Sequence, residues 1–341
     1  MIRFLGFLIV FSLIGTAVWL WRDMQRSLNR PLAISQRGLD YEIKPGMTAR
    51  DLAQQLARKK VLDTPWFLEF EARRRGVASQ IKAGEYHFDA GTTAAELLQK
   101  VVSGKFIQHS VTFVEGWTFR QLLAALDTPS ALIHTLSDAS PPEIMRRIGQ
   151  AGVHPEGRFF PDTYLFSRGT SDVEILRRAF DAMQRRMGQA WAFRDQGLPY
   201  KAPFEALIMA SLIEKEAARP EERPVIAGVF VRRLKDNMKL ETDPAIIYAM
   251  GDGFDGNLSR EHLQIDSPYN TYRYPGLTPT PIAMPGAASI DAALHPAQGD
   301  AMFFVAKGDG THYFSSSLEE HKEAVARYQL KTEVTVSDGK P

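Results

Sequence analysis

The segment 204–216, Phe-Glu-Ala-Leu-Ile-Met-Ala-Ser-Leu-Ile-Glu-Lys-Glu, is a nearly unbroken apolar run closed by two carboxylates. At 100° per residue, Phe204, Ile208 and Leu212 fall on one stripe, and Glu216 extends it by one turn. The pattern predicts a core helix. Glu214 lies about 200° from Glu216 around that helix, so a site on one face uses only one of them. Met209, Leu212 and Ile213 surround Glu216, against Leu207, Ala210 and Ser211 around Glu214. The bulkier apolar neighbours make Glu216 the candidate for desolvation, and a carboxyl that keeps its proton near neutral pH can serve as a general acid. The plainer alternative is a pair of solvated glutamates at the frayed end of a core helix.

Upstream, one pattern occurs three times. Residues 46–52 (Gly-Met-Thr-Ala-Arg-Asp-Leu), 91–97 (Gly-Thr-Thr-Ala-Ala-Glu-Leu) and 116–122 (Gly-Trp-Thr-Phe-Arg-Gln-Leu) each place Thr three residues before Asp, Glu or Gln. That spacing is the capping box of a helix start. Short strand-like runs precede the copies, at 41–43, 86–88 and 111–114, so the unit reads strand, glycine turn, helix. Thr64 before Pro65 signals one more helix, with Thr as N-cap. The spacings of 45 and 25 residues are too unequal for a solenoid. Further helices are expected from Pro141 through Ile148, from Asp172 to about Gln189, from Pro224, and over 318–328. Strands are expected at 302–306 and 311–314, around the turn Gly308-Asp309-Gly310. Residues 275–286 hold four prolines and cannot be regular structure; a stiff irregular connection of this length inside a domain is usually functional or disordered.

Residues 4–21 form an uncharged apolar run between Arg3 and Arg22, long enough to cross a hydrocarbon core. It ends in Trp19 and Trp21 and lacks a small-x-small cleavage site, which predicts an uncleaved signal anchor; a cleaved signal is the alternative. Arg22, Arg26 and Arg30 follow the run and only Arg3 precedes it, so flanking charge does not support a cytoplasmic N-terminus. Residues 23–40 read as a polar tether.

Composition narrows the chemistry. The 341 residues carry a net charge of +1 without a long run of one sign, which gives no footprint for nucleic acid. The absence of cysteine excludes disulfides, thiolate metal sites and a cysteine nucleophile. The eight histidines are scattered, and no HExxH, GxSxG, Walker A or strand-bound GxGxxG motif is present, so no metal and no cofactor is assigned.

Several motifs, in order, resemble the endolytic murein transglycosylase (MltG, YceG-like) family. They are Ser-Leu-Ile-Glu-Lys-Glu at 211–216 with Glu222-Arg223 downstream, Phe-Pro-Asp-Thr-Tyr at 160–164, Thr242-Asp243-Pro244 with Tyr248, and Ser-Pro-Tyr-Asn-Thr-Tyr at 267–272. Gly276-Leu277 and Pro285-Gly286 match as well, as do Lys-Ala-Gly-Glu-Tyr at 82–86 and Val114-Glu115-Gly116. The resemblance runs from about residue 41 to 330. It implies an α+β chain made of an N-terminal transmembrane helix (1–22), a tether (23–40), a LysM-like glycan-binding module (41–126) and a mixed α+β catalytic domain (127–335). Two positions depart from the family: Glu241 stands where Gln is usual, and Ala217 where Thr is usual.

The resemblance also implies the chemistry. The second Glu of the Glu-Lys-Glu motif, here Glu216, is the family's essential carboxylate, and the substrate is the glycan strand of peptidoglycan, cut internally to leave 1,6-anhydro ends. Asp162, Tyr164, Glu241, Asp243, Asn270 and Tyr272 are the candidate substrate-binding residues; polar groups that merely stabilise turns are the alternative for them. The expected location is the inner membrane, single-pass, with the catalytic part on the outer side and peptidoglycan synthases as partners. Two rivals remain open. One is a muramidase using Glu216 with Glu241 or Asp243 as a second carboxylate. The other is a wall-binding scaffold without catalysis.

Overall fold

The computed structural model describes residues 2–329, with side chains from residue 9 onward, and the chain divides into two compact units. The first holds residues 1–109 and 165–170, the second residues 110–164 and 171–341.

The first unit begins with helix α1 (Ile2–Leu28). Side chains 4–8 of the expected anchor lie outside the described residues. From Ile9 to Trp21 the large apolar side chains stand exposed. Among the described residues no helix is long and apolar enough to cross a membrane. α1 continues through residues 23–28, the first part of the segment read as a tether, because Met24 and Leu28 are buried in the core of this unit. Strand β1 (Leu39–Ile43), helices α2 (Ala49–Arg58) and α3 (Pro65–Arg74), strand β2 (Gly84–Phe88) and helix α4 (Ala94–Ser103) complete it. β1 and β2 pair antiparallel with Tyr41 opposite Tyr86, and their inward residues Ile43, Tyr86 and Phe88 pack with Leu52, Leu56, Leu97 and Leu98.

Both predicted capping boxes here are formed: Thr48 with Asp51 and Thr93 with Glu96. Thr64 makes no capping bond for α3; its hydroxyl is instead 2.6 Å from that of Ser27 on α1. Burying Thr64 against α1 takes the oxygen away from the helix start.

β3 (His109–Thr112) carries the chain into the second unit, where α5 (Phe119–Leu126) and α6 (Pro141–Arg147) follow; β4 (Thr163–Phe166) begins in that unit and ends in the first. The third capping box, Thr118 with Gln121, opens α5, so this copy of the repeat folds with the second unit. The reason is local: Phe119 stacks on Phe159 with centroids 5.3 Å apart, and its N–H donates to buried Glu156 at 2.9 Å.

Next come α7 (Asp172–Ala192), α8 (Pro203–Glu216), α9 (Arg223–Lys235), α10 (Asp243–Met250) and α11 (Ala287–Leu294). The hairpin β5 (Phe303–Ala306) and β6 (His312–Ser315) and helix α12 (Leu318–Tyr328) close the described chain. β5 and β6 pair antiparallel, with Ala306 opposite His312.

α8 is the core of the second unit. Every residue from Ala206 to Ile213 is buried, on all faces, with α7, α9, α10 and α11 packed around it. Each fully buried Leu, Ile or Met on it contributes about 1.5–3 kcal/mol. The proline-rich stretch 275–286 is irregular, as its sequence requires, and it is pinned to α8. The Ser211 hydroxyl accepts from Ile282 N–H at 3.0 Å, and the Glu214 carboxylate accepts from Gly286 N–H at 3.0 Å.

Candidate active site

Glu216 is the last residue of α8, because Ala217 turns to extended backbone at the C-cap. It is half-buried on the wall of a cleft of about 330 Å³, shared with Arg233, Glu241, Asp243, Tyr272 and His312. Desolvation pushes its pKa up to about 7; the Thr242 hydroxyl pulls downward and the Asp243 charge pushes further up. A carboxyl so placed is partly protonated at neutral pH and can both give and take a proton.

Arg233, residues 241–243 and the loop carrying Tyr272 are joined to one another around the cleft. Residues 241–243 are stapled to the loop at 271: Glu241 N–H donates to Thr271 C=O at 3.2 Å, and Thr242 N–H to the Thr271 hydroxyl at 3.0 Å. Glu241 adopts φ +54°, a left-handed conformation that costs a residue other than glycine about 1–2 kcal/mol. Its carboxylate is 3.0 Å from Nη1 of buried Arg233, whose guanidinium also donates to the carbonyls of Lys239, Leu240 and Met302. Tyr272 donates its hydroxyl to Asp243 at 2.6 Å, and burial raises the tyrosine's pKa.

Of the residues expected from sequence, Glu216, Glu241, Asp243 and Tyr272 are therefore brought together. Asn270 is buried beneath them: its amide donates to Leu263 and Ile265 C=O at 3.0 and 2.7 Å, and its Oδ1 accepts from Tyr272 N–H at 3.0 Å. It shapes the loop that presents Tyr272. Asp162 and Tyr164 do not line the cleft. Asp162 is exposed and turns its carboxylate back onto Thr163 N–H, while the buried Tyr164 hydroxyl donates to Phe160 C=O at 2.7 Å. Both settle the turn into β4.

Glu214 faces away from Glu216, as helical spacing requires, yet its side chain is only 6 % exposed and pairs with Arg223 at 3.2 Å. The polar environment of Arg223 and Gly286 accommodates that burial. Sequence reasoning about apolar neighbours alone placed the desolvation on Glu216 and missed this partnership.

Three cleft residues also escaped the sequence reading. Arg233 lies in the Val-Arg-Arg-Leu stretch of α9, which the sequence reading took only as part of a helix. His312 and His321 were counted among scattered histidines; the Thr-His-Tyr-Phe alternation of β6 was the available signal for His312. His321 stacks on Phe303 at 5.2 Å, and burial followed by the Arg233 charge lowers its pKa against the pull of Glu241. Among the described residues no group of three His, Asp or Glu side chains is placed to hold a metal ion.

A second carboxyl is perturbed to the same extent outside the cleft. Glu156 is 5 % exposed; burial raises its pKa to about 7 despite bonds from Phe119 N–H and the Tyr248 hydroxyl.

Comparison with known proteins places this geometry in context. The profile of the YceG-like family matches residues 41–327. An endolytic murein transglycosylase of Bacillus subtilis is 32 % identical over 313 residues, covering 86 % of this chain and 86 % of that protein. One from Streptococcus pneumoniae is 26 % identical over 330 residues, covering 87 % of this chain and 59 % of its own length. A crystal structure of a YceG-like protein from Listeria monocytogenes superposes with a TM-score of 0.50 at 29 % identity, over 85 % of this chain and 99 % of that one. With a family match that takes in both units and most of the chain's length, this protein belongs to the YceG-like family.

Proposed function

We propose that the protein is an endolytic lytic transglycosylase of peptidoglycan, with Glu216 as its single acid and base. The observation that carries this reading is a half-buried carboxyl with pKa near 7 on the wall of a polar cleft, in a chain whose relatives bear the name endolytic murein transglycosylase. Glu216 protonates the glycosidic oxygen between N-acetylmuramic acid and N-acetylglucosamine, and the C1–O bond breaks toward an oxocarbenium-like centre. The carboxylate so formed takes the proton from the muramyl C6 hydroxyl as O6 closes on C1, giving the 1,6-anhydro end and restoring Glu216. An intramolecular hydroxyl brings high effective molarity and removes the need to hold a water.

The state of the neighbouring carboxylates favours one acid over two. Glu241 is engaged by Arg233 and Asp243 by Tyr272, so neither stands as a free base beside Glu216. Asp243, Tyr272 and Glu241 then act on the substrate as hydrogen-bonding groups. Residues 4–21 anchor the chain in the inner membrane with the second unit outside, where peptidoglycan and its synthases are found. Residues 41–126 are the LysM-like module that holds the glycan strand; the part of it within the first unit is a two-stranded sheet flanked by α2, α3 and α4.

The test is mass spectrometry of peptidoglycan digested by the purified full-length protein. Anhydro-muramyl ends are expected; reducing ends make it a hydrolase, and no new ends make it a scaffold.

A further inference from the structure

The cleft holds one imidazole built to a fixed orientation. His312, on β6, has a side chain only 10 % exposed, and both oxygens of Glu222 are spent on it: Oε1 accepts from its backbone N–H at 2.9 Å and Oε2 lies 2.7 Å from Nδ1. Phe304 meets the ring edge to face at 5.3 Å, and Phe314 stands at 6.3 Å. The ring therefore has one free polar atom. Among the described residues Nε2 has no protein partner, and His312 is part of the lining of the cleft that contains Glu216. With the Glu222 carboxylate as acceptor, Nδ1 carries a hydrogen, and in the neutral tautomer this selects Nε2 is the acceptor that faces the cleft. A histidine held this way by a carboxylate is oriented before the substrate arrives, which lowers the cost of making its next bond.

We propose that His312 is a substrate-contacting residue: Nε2 accepts a hydrogen bond from a hydroxyl of the sugar seated at Glu216, and Glu222 is the positioning residue that aims it. This rests on the reading of the cleft as a glycan site. It differs from a catalytic dyad, since no proton need leave the sugar through His312; the imidazole fixes the rotation of the sugar against the acid. A clamped acceptor of this kind discriminates sharply, because a ligand lacking the hydroxyl leaves the buried acceptor unpaired.

Two measurements on the full-length protein decide it. In a Glu216→Gln background, which prevents turnover, purified glycan strands should bind about tenfold or more weakly once His312→Ala is added. In the otherwise native enzyme, His312→Ala should lower kcat/KM by about tenfold or more, with partial recovery on adding imidazole, which fits the vacated space between Phe304, Phe314 and Glu222. Glu222→Gln added to His312→Ala should abolish that recovery. His312→Gln, which keeps an acceptor and fills the space, should retain more activity than His312→Ala. Unchanged binding and rate in His312→Ala would overturn the proposal, and so would a loss recovered by neither imidazole nor Gln. Should the wild-type products carry reducing ends, the transglycosylase reading falls while the binding comparison still decides His312.

Discussion

Tyr272 donates to Asp243 across 2.6 Å, joining the loop at 267–273 to the first turn of α10 directly beside the acid. The bond holds Asp243 as an acceptor and keeps its charge close enough to raise the pKa of Glu216. Tyr272→Phe leaves that charge in place but releases Asp243 to swing. We expect a fall in kcat/KM of about tenfold, the size of one lost charge-assisted bond, with little change in melting temperature. Steady-state cleavage and thermal denaturation of the variant are the check, and a large drop in melting temperature at unchanged activity would give the bond a purely structural role.

Glu216→Gln preserves shape but cannot exchange the required proton. Activity on glycan strands should fall by on the order of 10²–10⁴-fold, the range for general acid–base catalysis. Glu241→Gln, which carries the family's usual residue, should still yield anhydro ends. If instead Glu241→Gln is inactive and Glu216→Gln is active, the acid has been assigned to the wrong residue.

The pH dependence follows from the raised pKa. The proposed first step needs Glu216 protonated, so kcat/KM should decline as pH rises through about 7. A profile flat from pH 6 to 9 would separate the chemistry from this carboxyl.

Glu156 offers a test in stability rather than rate. Its pKa is raised to about 7 in the folded chain, so the folded state binds the extra proton between the ordinary carboxyl value and 7. Its contribution is therefore fullest below about 4.5 and is lost as pH climbs to about 7, by on the order of 3 kcal/mol. Glu156→Gln should flatten the dependence of unfolding free energy on pH over that window. Chemical denaturation at several pH values will show whether wild type and variant converge at the acid end or run in parallel, the latter ruling out the assignment.

Gly157, the next residue, sits at φ +72°, and a Cβ there would fall 2.3 Å from Pro281 Cβ and 3.1 Å from Ala283 C=O. Neither neighbour is the free end of a flexible side chain. Gly157→Ala should cost about 2 kcal/mol or more, measured by the denaturation midpoint.

Glu216 was readable from a local pattern, because it closes an apolar run. Glu241, Asp243, Asn270 and Tyr272 were reached through motifs shared with the family, since short polar segments beside four prolines do not by themselves say which cleft they line. The cleft's other half was not readable, since Arg233, His312 and His321 reach Glu216 only through tertiary packing of α9, the β5–β6 hairpin and α12. A charged residue on a helix and a histidine in a strand carry no sign of which neighbour they will meet. Glu214 shows the same limit. Helical geometry gives its direction correctly, but the ion pair with Arg223 that allows its burial depends on a bend after α8. Glu214→Gln should lower the thermal denaturation midpoint, because it weakens the pair with Arg223 and the hold on Gly286.

The order in which the cleft is built has a consequence during synthesis. The acid emerges at residue 216, but the groups that complete its surroundings arrive at 233, 241–243, 272, 304–306, 312 and, on α12, 321 and 325. A chain that stops before the β5–β6 hairpin lacks Phe304, Val305, Ala306 and His312 from the lining of this cleft. The surroundings of the proposed acid are therefore complete only once the last described elements have been made.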